Sequence, residues 1–351
     1  MLIEPFLGRA CRKLGIDADY RKVAKKRWLV EPASTTQNRP AIFDMSALPR
    51  VTGVAPDSTY EFQLERLTRA VTHHPPTYAY QLVDVVMAQG NFFKWNMVYP
   101  IVGGRMPAVG AVDSPEIAAG VLATTYLGNK FFGHWLIDDV PLSKACAGMG
   151  TLYGHVGTDN VLSAHQQEYS RLLDYRVDHL HDAFFRELVI LDQRHETASK
   201  AANYRWMRDA IRAGRKPRTN PGVMILRRAS GIQRVLLNED EIAEVLASRG
   251  FTIVDPMVRS VAEVIDDCLD ARVVIGVEGS ALAHGFFSMD PSGTLFTLQP
   301  TFKFDHFWRD RCDCVGTRYA VLLGDAAEGG FRIDPHELLG MLDALPEVCL
   351  A

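Results

Sequence analysis

Two residues four positions apart, His134 and Asp138, form the first pair in this sequence that could do chemistry. Residues at that spacing share one face of a helix, so the carboxylate can accept a hydrogen bond from the imidazole. Such a pair can act as a general base that takes a proton from a hydroxyl group. Pro141 can kink a helix or begin one, so the backbone here stays open. The alternative is that His134 and Trp135 pack in a core or cleft while the acids cap a helix.

A glycine-rich turn after the apolar run 272–275 is the second candidate. Gly276 and Gly279 allow positive φ and a close approach of the backbone to a ligand. Ser280 could cap the following helix and donate to a phosphate, and Glu278 could grip a ribose or sugar hydroxyl. The turn is neither G-x-G-x-x-G nor G-x-x-x-x-G-K-[ST], which excludes the standard dinucleotide fingerprint and the P-loop. Many strand-to-helix turns favour glycine and serine, so this turn alone is a weak indicator.

Two consecutive arginines, Arg227 and Arg228, end an apolar run that begins at Val223. Neighbouring residues on a strand face opposite ways, but at its end both side chains can reach the loop edge. The planar guanidinium donates paired hydrogen bonds to phosphate, and Arg234 could add a third such group. The alternative is that one of the pair is a surface charge. Arginines and glycine turn together predict a site for a nucleotide diphosphate.

The elements that must position the arginines and the turn alternate strand and helix from residue 222 onward. Predicted helices begin at Asn238 and after Ser260, where Glu263 completes a capping box, and a last helix covers 335–345. A further helix runs from the turn through Phe287. The predicted strands are 222–228, 251–254, 272–275 and 294–298. Nearly continuous apolar strands joined by helices predict a parallel sheet covered on both faces, with its loops along the carboxyl edge.

The residues before this sheet are predicted to form a separate α/β domain, 1–199. Helical patterns cover 60–71 and 165–175, while 33–40 and 73–77 have the composition of loops. Short apolar runs are predicted as strands at 28–30, 41–43, 97–102, 121–127 and 188–191.

A basic segment, 200–221, separates this domain from the second one, 222–351. We expect it to begin as a helix and to end as a loop. It carries seven cations against Asp209 alone, namely Lys200, Arg205, Arg208, Arg212, Arg215, Lys216 and Arg218. The two interpretations are a solvated linker helix and a contact with an anionic ligand or a membrane surface.

The composition of the chain argues against several classes of function. The chain of 351 residues is 47% hydrophobic, which suits about two domains, and its net charge of −4 argues against general nucleic-acid binding. We find no apolar run of ~18 residues and no signal peptide, so we expect a cytoplasmic protein without a membrane span. Six cysteines are too few for a disulfide framework. Cys312 and Cys314 with His306 invite a zinc or redox interpretation, although their spacing is not C-x-x-C.

Both constellations resemble glycosyltransferase family 61, including its bacterial capsular or exopolysaccharide members. The first mark is Phe132-Gly-His134-Trp135-Leu136-Ile-Asp138. The second is an ordered series of motifs, namely Arg227-Arg228, Arg234, Asn238-Glu239, 251–256, Ser260-Val261-Ala-Glu263 and Gly276-Val-Glu278-Gly279-Ser280-Ala-Leu282. The resemblance covers about residues 121–299.

The resemblance implies a GT-B-like architecture, in which two Rossmann-like domains face each other across a cleft. The C-terminal domain would hold a nucleotide-sugar donor and the N-terminal domain a glycan or lipid-linked saccharide acceptor. The family inverts the anomeric carbon, usually without an essential metal. This chain departs from it at Glu278, where many members have histidine, so an anion replaces a possible cation and the donor's identity is left open.

From the residues and the resemblance we expect a cytosolic inverting glycosyltransferase of polysaccharide biosynthesis, with no cofactor and no nucleic-acid partner. Asp138, or His134 oriented by Asp138, would deprotonate the acceptor. Arg227, Arg228, Arg234, Glu278, Gly279, Ser280 and His284 are the expected donor-binding residues. The missing family histidine motivates an alternative, a non-catalytic subunit that binds a sugar nucleotide. Peripheral contact with the inner membrane through the basic segment is a further expectation.

Overall fold

The computed structural model describes residues 4–102, 114–157, 159–227 and 234–346, so the predicted site residue Arg228 lies outside the described residues. The fold is mixed α/β, which confirms the predicted class. Two compact units make up the chain. The first comprises Met1–Ser34 and Pro75–His195, and the second comprises Thr35–His74 and Glu196–Ala351. The second unit thus includes Thr35–His74, which lies within the predicted N-terminal domain, 1–199.

The regular elements are numbered here in chain order. The strands are β1 (Lys26–Glu31), β2 (Ser34–Gln37), β3 (Val71–His74), β4 (Thr77–Ala88), β5 (Asn91–Lys94), β6 (Met97–Tyr99), β7 (Glu116–Leu122), β8 (Leu152–Gly154), β9 (Asp178–His179), β10 (Ala183–Leu191), β11 (Val223–Ile225), β12 (Thr252–Val254), β13 (Val273–Val277), β14 (Thr294–Pro300), β15 (Arg318–Ala327) and β16 (Gly330–Arg332). The helices are α1 (Glu4–Lys13), α2 (Tyr20–Val23), α3 (Tyr60–Thr68), α4 (Tyr126–Lys130), α5 (Phe132–His134), α6 (Val140–Cys146), α7 (Ala164–Leu172), α8 (Ala198–Arg212), α9 (Glu239–Ser248), α10 (Val261–Cys268), α11 (Leu282–Ser288), α12 (Phe307–Val315) and α13 (Pro335–Asp343). In the part of the chain that the structure describes, none of the helices has the length and apolar character needed to cross a bilayer.

The first unit is built on a mixed sheet in the order β6-β5-β4-β10-β7-β8-β9, with β1 also paired to β4. Strands β10, β7, β8 and β9 pair in parallel along this series. Strand β4 is antiparallel to β10, β1 and β5, and β5 is antiparallel to β6. A tight turn at Gln89 and Gly90, both with positive φ, joins β4 to β5 and requires that direction. This half therefore departs from the all-parallel sheet of a Rossmann-like domain. The predicted strand 121–127 is also wrong beyond Leu122, because Tyr126 already begins α4.

The second unit contains the sheet predicted from residue 222 onward, in the order β12-β11-β13-β14-β15-β16. All pairs are parallel except the final β15–β16 hairpin. The predicted capping box at Ser260 and Glu263 is present at the start of α10. Helices α9 and α13 contribute to the core on one face of the sheet, while Gly285 of α11 packs against Val274 and Ile225 on the other. The order reverses between β11 and β13, as in doubly wound folds.

The segment Thr35–His74 belongs to the second unit through contacts that its sequence does not predict. Strands β2 and β3 pair with each other. The prediction of loops at 33–40 and 73–77 is therefore wrong for β2 and for the end of β3, and the helix predicted over 60–71 ends at Thr68. The polar residues of these strands have no apolar period that would indicate a strand. The predicted strand 41–43 is wrong, since Ile42 forms only an isolated bridge to Ala320. Arg66 of α3 lies 2.8 Å from Asp310.

The basic segment begins as a helix, as predicted, and α8 ends at Arg212. Several of its cations have partners inside the second unit, which a solvated linker would not provide. Lys200 is buried 3.0 Å from Glu196, and buried Arg208 donates to the Phe286 carbonyl at 3.0 Å. Arg205, Lys216 and Arg218 are exposed.

Buried His306 gives a prediction about stability against pH. Its Nδ1 lies 3.0 Å from the Tyr319 hydroxyl, and burial, followed by the charges of Arg66 and Arg309, lowers the pKa of His306 to about 3. Below pH about 6.5 the imidazole is therefore protonated in the unfolded chain but stays neutral in the folded chain. As the pH falls through this range, this group lowers the free energy of unfolding by up to about 1.4 kcal/mol per pH unit. We expect His306→Asn to reduce that loss between pH 6.5 and 4.5 in urea unfolding.

The matched control for this prediction is His336→Asn, which changes an exposed histidine. It should leave the pH dependence of the unfolding free energy as in the parent protein. An unchanged slope for His306→Asn would show that the buried imidazole is not a source of acid sensitivity.

Candidate functional site

The predicted pair His134 and Asp138 is formed in the first unit. His134 ends the short helix α5, and a π-helical turn, Trp135–Asp139, follows it. The Nδ1 atom of His134 lies 2.7 Å from Oδ2 of Asp138, and the side chains are 17% and 16% exposed. The predicted hydrogen bond is thus confirmed, and both groups are open enough to meet a ligand. Single π-helical turns are frequent at functional sites.

Asp139 fixes this turn from inside the protein. Its buried carboxylate accepts hydrogen bonds from the Thr124 hydroxyl at 3.0 Å and from the Thr125 backbone N–H and hydroxyl at 3.0 and 2.8 Å. Burial raises the pKa of Asp139 well above its ordinary value, against the opposing effect of these hydrogen bonds. Both threonines follow the carboxyl end of β7, so Asp139 ties the turn to the sheet. Trp135 is fully buried, as the packing interpretation expected for that residue.

Gly128 leaves the space that the Asp139 carboxylate occupies. A Cβ at residue 128 would lie 2.2 Å from both carboxylate oxygens, so we expect Gly128→Ala to lower the unfolding free energy by about 1–3 kcal/mol. Gly340→Ala in α13 is the matched control, because a Cβ there meets no atom within 4 Å and should stabilise the helix by up to about 1 kcal/mol. Urea unfolding measures both, and two changes of the same sign would contradict the packing described.

A partly exposed aromatic surface adjoins the His134 ring. The ring centroid of Phe131 lies 6.0 Å from that of His134, and the Lys130 ammonium lies 5.1 Å from the Phe131 ring. Phe131, Leu127 and Tyr126 are each about 40% exposed. An acceptor that reaches His134 therefore meets apolar surface as well as polar groups.

The second unit places Arg227 and the glycine turn at one point of the sheet edge. Strands β11 and β13 are neighbours, with Ile225 opposite Gly276. The chain leaves β11 toward β12 on one side and leaves β13 toward β14 on the other. Such a reversal opens a crevice at the carboxyl edge, which is where doubly wound sheets bind their ligands. The structure thus brings Arg227, Glu278 and Gly279 to the same sheet edge.

Arg227 is positioned by two hydrogen bonds. Its backbone N–H donates to the Glu239 carboxylate at 2.7 Å, and its Nη1 donates to the Arg234 carbonyl at 2.9 Å. Burial lowers the pKa of Arg227, partly offset by the nearby Glu239 charge. These bonds join the residue after β11 to Arg234 and to the first residue of α9.

Arg234 and Glu278 form an ion pair at the same edge. Their side chains are 15% and 6% exposed. Burial, and then the charge of Arg227, lowers the pKa of Arg234 to about 10, so it stays cationic at neutral pH. The carboxylate expected to grip a hydroxyl is engaged by an arginine that was also predicted to bind the donor.

Gly279 has the predicted positive φ, but Gly276 lies inside β13 and does not, and the predicted cap at Ser280 is not formed. Gly279 has φ 153°, and a Cβ there would lie 3.7 Å from Nη2 of Arg234. The Trp308 indole N–H donates to the Gly279 carbonyl at 3.3 Å. The expectation that Ser280 caps the next helix is wrong, because α11 begins at Leu282 behind Ala281 without a side-chain cap. His284 is 2% exposed within that helix.

Lys303 is a cation at this edge that sequence reasoning missed. It lies in the loop after β14, and burial, followed by the charge of Arg234, lowers the pKa of Lys303. With Phe302 and Arg234 it lines a cavity of about 420 Å³. Hydrogen bonds from the Thr52 N–H to the Thr301 carbonyl at 2.8 Å, and from the Phe304 N–H to the Gly53 carbonyl at 3.0 Å, hold this loop. The sequence feature that could have indicated Lys303 is its position shortly after the predicted strand 294–298.

The structure gives no support to a metal centre at Cys312, Cys314 and His306. Burial raises the pKa of both thiols, and the His306 ring contacts the Tyr319 hydroxyl. No group of three histidine, cysteine or acidic side chains in the described ranges is arranged to hold a metal ion.

Comparison with known proteins bears on both constellations. Residues 132–296 match the family model described as Glycosyltransferase 61. The match is a similarity to that family over 165 of the 351 residues. The matched region begins at Phe132, two residues before His134, and extends beyond the glycine turn, whereas Lys303 lies outside it. No curated protein matches the chain.

Proposed function

We propose that this protein is an inverting glycosyltransferase that moves a sugar from a nucleotide-sugar to a hydroxyl of a glycan or a lipid-linked saccharide. The observation that carries the proposal is the convergence of Arg227, Arg234 and Gly279 at the strand-order reversal of the second sheet. Arginine forks and free backbone N–H groups recognise a diphosphate in just such a crevice. The Glycosyltransferase 61 match over 132–296 supports the same reaction class.

The reaction is a single displacement. The acceptor oxygen attacks the anomeric carbon, and the bond from that carbon to the diphosphate oxygen breaks, so its electron pair leaves with the nucleoside diphosphate. The acceptor proton passes to Asp138, or to His134 held by Asp138 at 2.7 Å. One displacement inverts the anomeric configuration.

Charge at the crevice stabilises the departing diphosphate. Arg227, Arg234 and Lys303 carry three positive charges, which Glu278 reduces to two. Groups fixed before the reaction stabilise developing charge without having to reorganise. Because these cations supply the charge, the proposal assigns no essential metal to the reaction. It also includes Arg228, Ser280 and His284 as donor-binding residues.

The proposal includes three further features that the similarity to the family model does not show. They are a GT-B-like arrangement of the two units, a place in polysaccharide biosynthesis and a cytoplasmic location. The first unit would supply the base and the acceptor surface beside Phe131, and the second would supply the donor site.

The test is a thermal-shift screen with uridine, guanosine, cytidine and adenosine diphosphates, followed by transfer assays with the sugars of the selected nucleotide. A selective ligand should raise the melting temperature by mass action. Product analysis by NMR should then show the anomeric configuration opposite to that of the donor. The absence of any selective nucleotide, or retention of configuration, would contradict the proposal.

A second candidate function is a non-catalytic subunit that binds a sugar nucleotide. The ion pair of Glu278 with Arg234 favours it, because the pair neutralises one of the cations available to a leaving diphosphate. This candidate predicts a thermal shift with a nucleoside diphosphate but neither hydrolysis nor transfer across a panel of donor sugars.

A further inference from the structure

The first unit exposes a group of large apolar side chains around helix α1. Phe6 and Leu7 lie on α1, and Leu14 directly follows its last residue, with its N–H donating to the Ala10 carbonyl at 3.1 Å. The most exposed members are Leu14 at 73%, Trp95 at 69%, Phe6 at 59% and Ile16 at 58%. We call Phe6, Leu7, Leu14, Ile16 and Trp95 the α1 surface.

Hydrogen bonds join the two chain segments of the α1 surface. The Asn96 side-chain amide donates to the Ile16 carbonyl at 3.1 Å, and the Ala18 N–H donates to the Asn96 carbonyl at 3.1 Å. Trp95, at the tip of the β5–β6 hairpin, is thereby held beside the chain that follows α1. The apolar side chains thus form one neighbourhood instead of scattered exposures.

The opposite face of α1 is already packed on the sheet. A Cβ at Gly8 would lie 2.9 Å from the Val98 side chain and 3.0 Å from the Phe93 ring. The helix cannot turn Leu7 inward without losing this close contact. Because the packing leaves Leu7 and Leu14 outside, a partner must cover them if they are to be removed from water.

Cations border the α1 surface. Arg9, Arg12 and Lys13 of α1 line a groove of about 980 Å³ together with Arg194 and two tyrosines, Tyr20 and Tyr99. Arg194 donates to the Tyr20 hydroxyl at 3.2 Å and pairs with the Asp192 carboxylate at 2.6 Å, which partly neutralises its charge.

The groove also contains acids. Asp17 and Asp19 line it, but two hydrogen bonds of 2.8 Å from the Arg21 side chain engage the Asp19 carboxylate. The four cations of the lining still outnumber its two acids.

We propose that the α1 surface docks the protein on a bilayer containing anionic phospholipids. Leucine, isoleucine and tryptophan enter the interface between headgroups and acyl chains, while neighbouring cations attract the headgroup phosphates. The groove places its cations where such phosphates would lie. This surface is separate from the basic segment 200–221, several of whose cations have internal partners. The proposal is independent of the transferase proposal.

Vesicle flotation of the full chain tests the docking, with phosphatidylcholine vesicles and vesicles that also contain phosphatidylglycerol. The parent protein should float with the anionic vesicles at low salt, and neutral vesicles or higher salt should weaken binding by about tenfold. Leu14→Ser with Trp95→Asn, and separately Arg12→Gln with Lys13→Gln, should each weaken it by about tenfold or more. Asparagine suits residue 95 because φ is 51° there.

Two matched controls locate the effect. Met257→Ser with Val258→Ser removes an equally exposed apolar pair from the second unit, and Lys216→Gln with Arg218→Gln removes exposed cations of the basic segment. Both should bind vesicles like the parent protein, and melting temperatures should show that all variants are folded. Equal binding to neutral vesicles, no binding, or loss only in the basic-segment variant would overturn the proposal. So would light scattering that shows a dimer dissociated by Leu14→Ser with Trp95→Asn.

Discussion

Asp138→Asn is expected to lower the transfer rate by about 10²–10⁴-fold, the usual contribution of a positioned acid–base group. Asparagine keeps the size of the side chain and can still pair with the His134 ring, which lies 2.7 Å from the present carboxylate. It cannot take a proton or stabilise a charged imidazole. Single-turnover transfer with a saturating donor measures the step directly.

A measurement of nucleotide binding by the Asp138→Asn variant distinguishes the loss of a catalytic base from the loss of the fold. Asp138 belongs to the first unit and the crevice of Arg227 to the second, so Asp138→Asn should bind the nucleoside diphosphate with unchanged affinity. His134→Gln assigns the roles within the pair. A loss as large as that of Asp138→Asn would make His134 the base and Asp138 its orienting partner. Normal turnover by Asp138→Asn would remove the pair from the mechanism.

Arg227→Met is expected to weaken nucleoside diphosphate binding by about tenfold to a hundredfold, the range for losing a charge-assisted hydrogen bond. Methionine keeps much of the apolar stem but removes the guanidinium that would bind the diphosphate. The substitution also removes the hydrogen bond that the Arg227 guanidinium donates to the Arg234 carbonyl at 2.9 Å. Isothermal titration with the diphosphate and with the parent nucleoside measures the two affinities.

The ratio of those affinities is the informative quantity. If Arg227 contacts the diphosphate, the variant should lose diphosphate affinity and keep nucleoside affinity. Arg249→Met is the matched control, since Arg249 at the end of α9 pairs with exposed Asp343 at 2.9 Å and should not affect either affinity. Equal losses for both ligands in Arg227→Met would assign that arginine to general support of the loop.

The second sheet could be predicted from the sequence because its signals are local. Strands β11 and β13 are continuous apolar runs, and β14 is apolar at most of its positions. Ser260 and Glu263 mark a helix start by their own side chains. Parallel strands also share one carboxyl edge, so the meeting of Arg227 with the turn at Gly279 follows from topology. The pairing of His134 with Asp138 needed only their helical spacing.

Features that depend on distant contacts could not be predicted in the same way. The pair of Arg234 with Glu278 joins residues 44 positions apart, and Lys303 is held by a segment near Thr52. The antiparallel half of the first sheet depends on which strand β4 meets, and apolar runs do not encode a partner. Ser280 does not cap α11 because that helix begins one residue later than expected, with Ala281 at the N-cap position.

A crystal structure with the nucleoside diphosphate selected by the thermal-shift screen tests the central claim most directly. The account predicts the diphosphate in the crevice between the ends of β11 and β13, within hydrogen-bond distance of the Arg227 guanidinium and the Gly279 backbone N–H. A nucleotide bound elsewhere, with the Arg227 side chain directed away from its phosphates, would contradict the account.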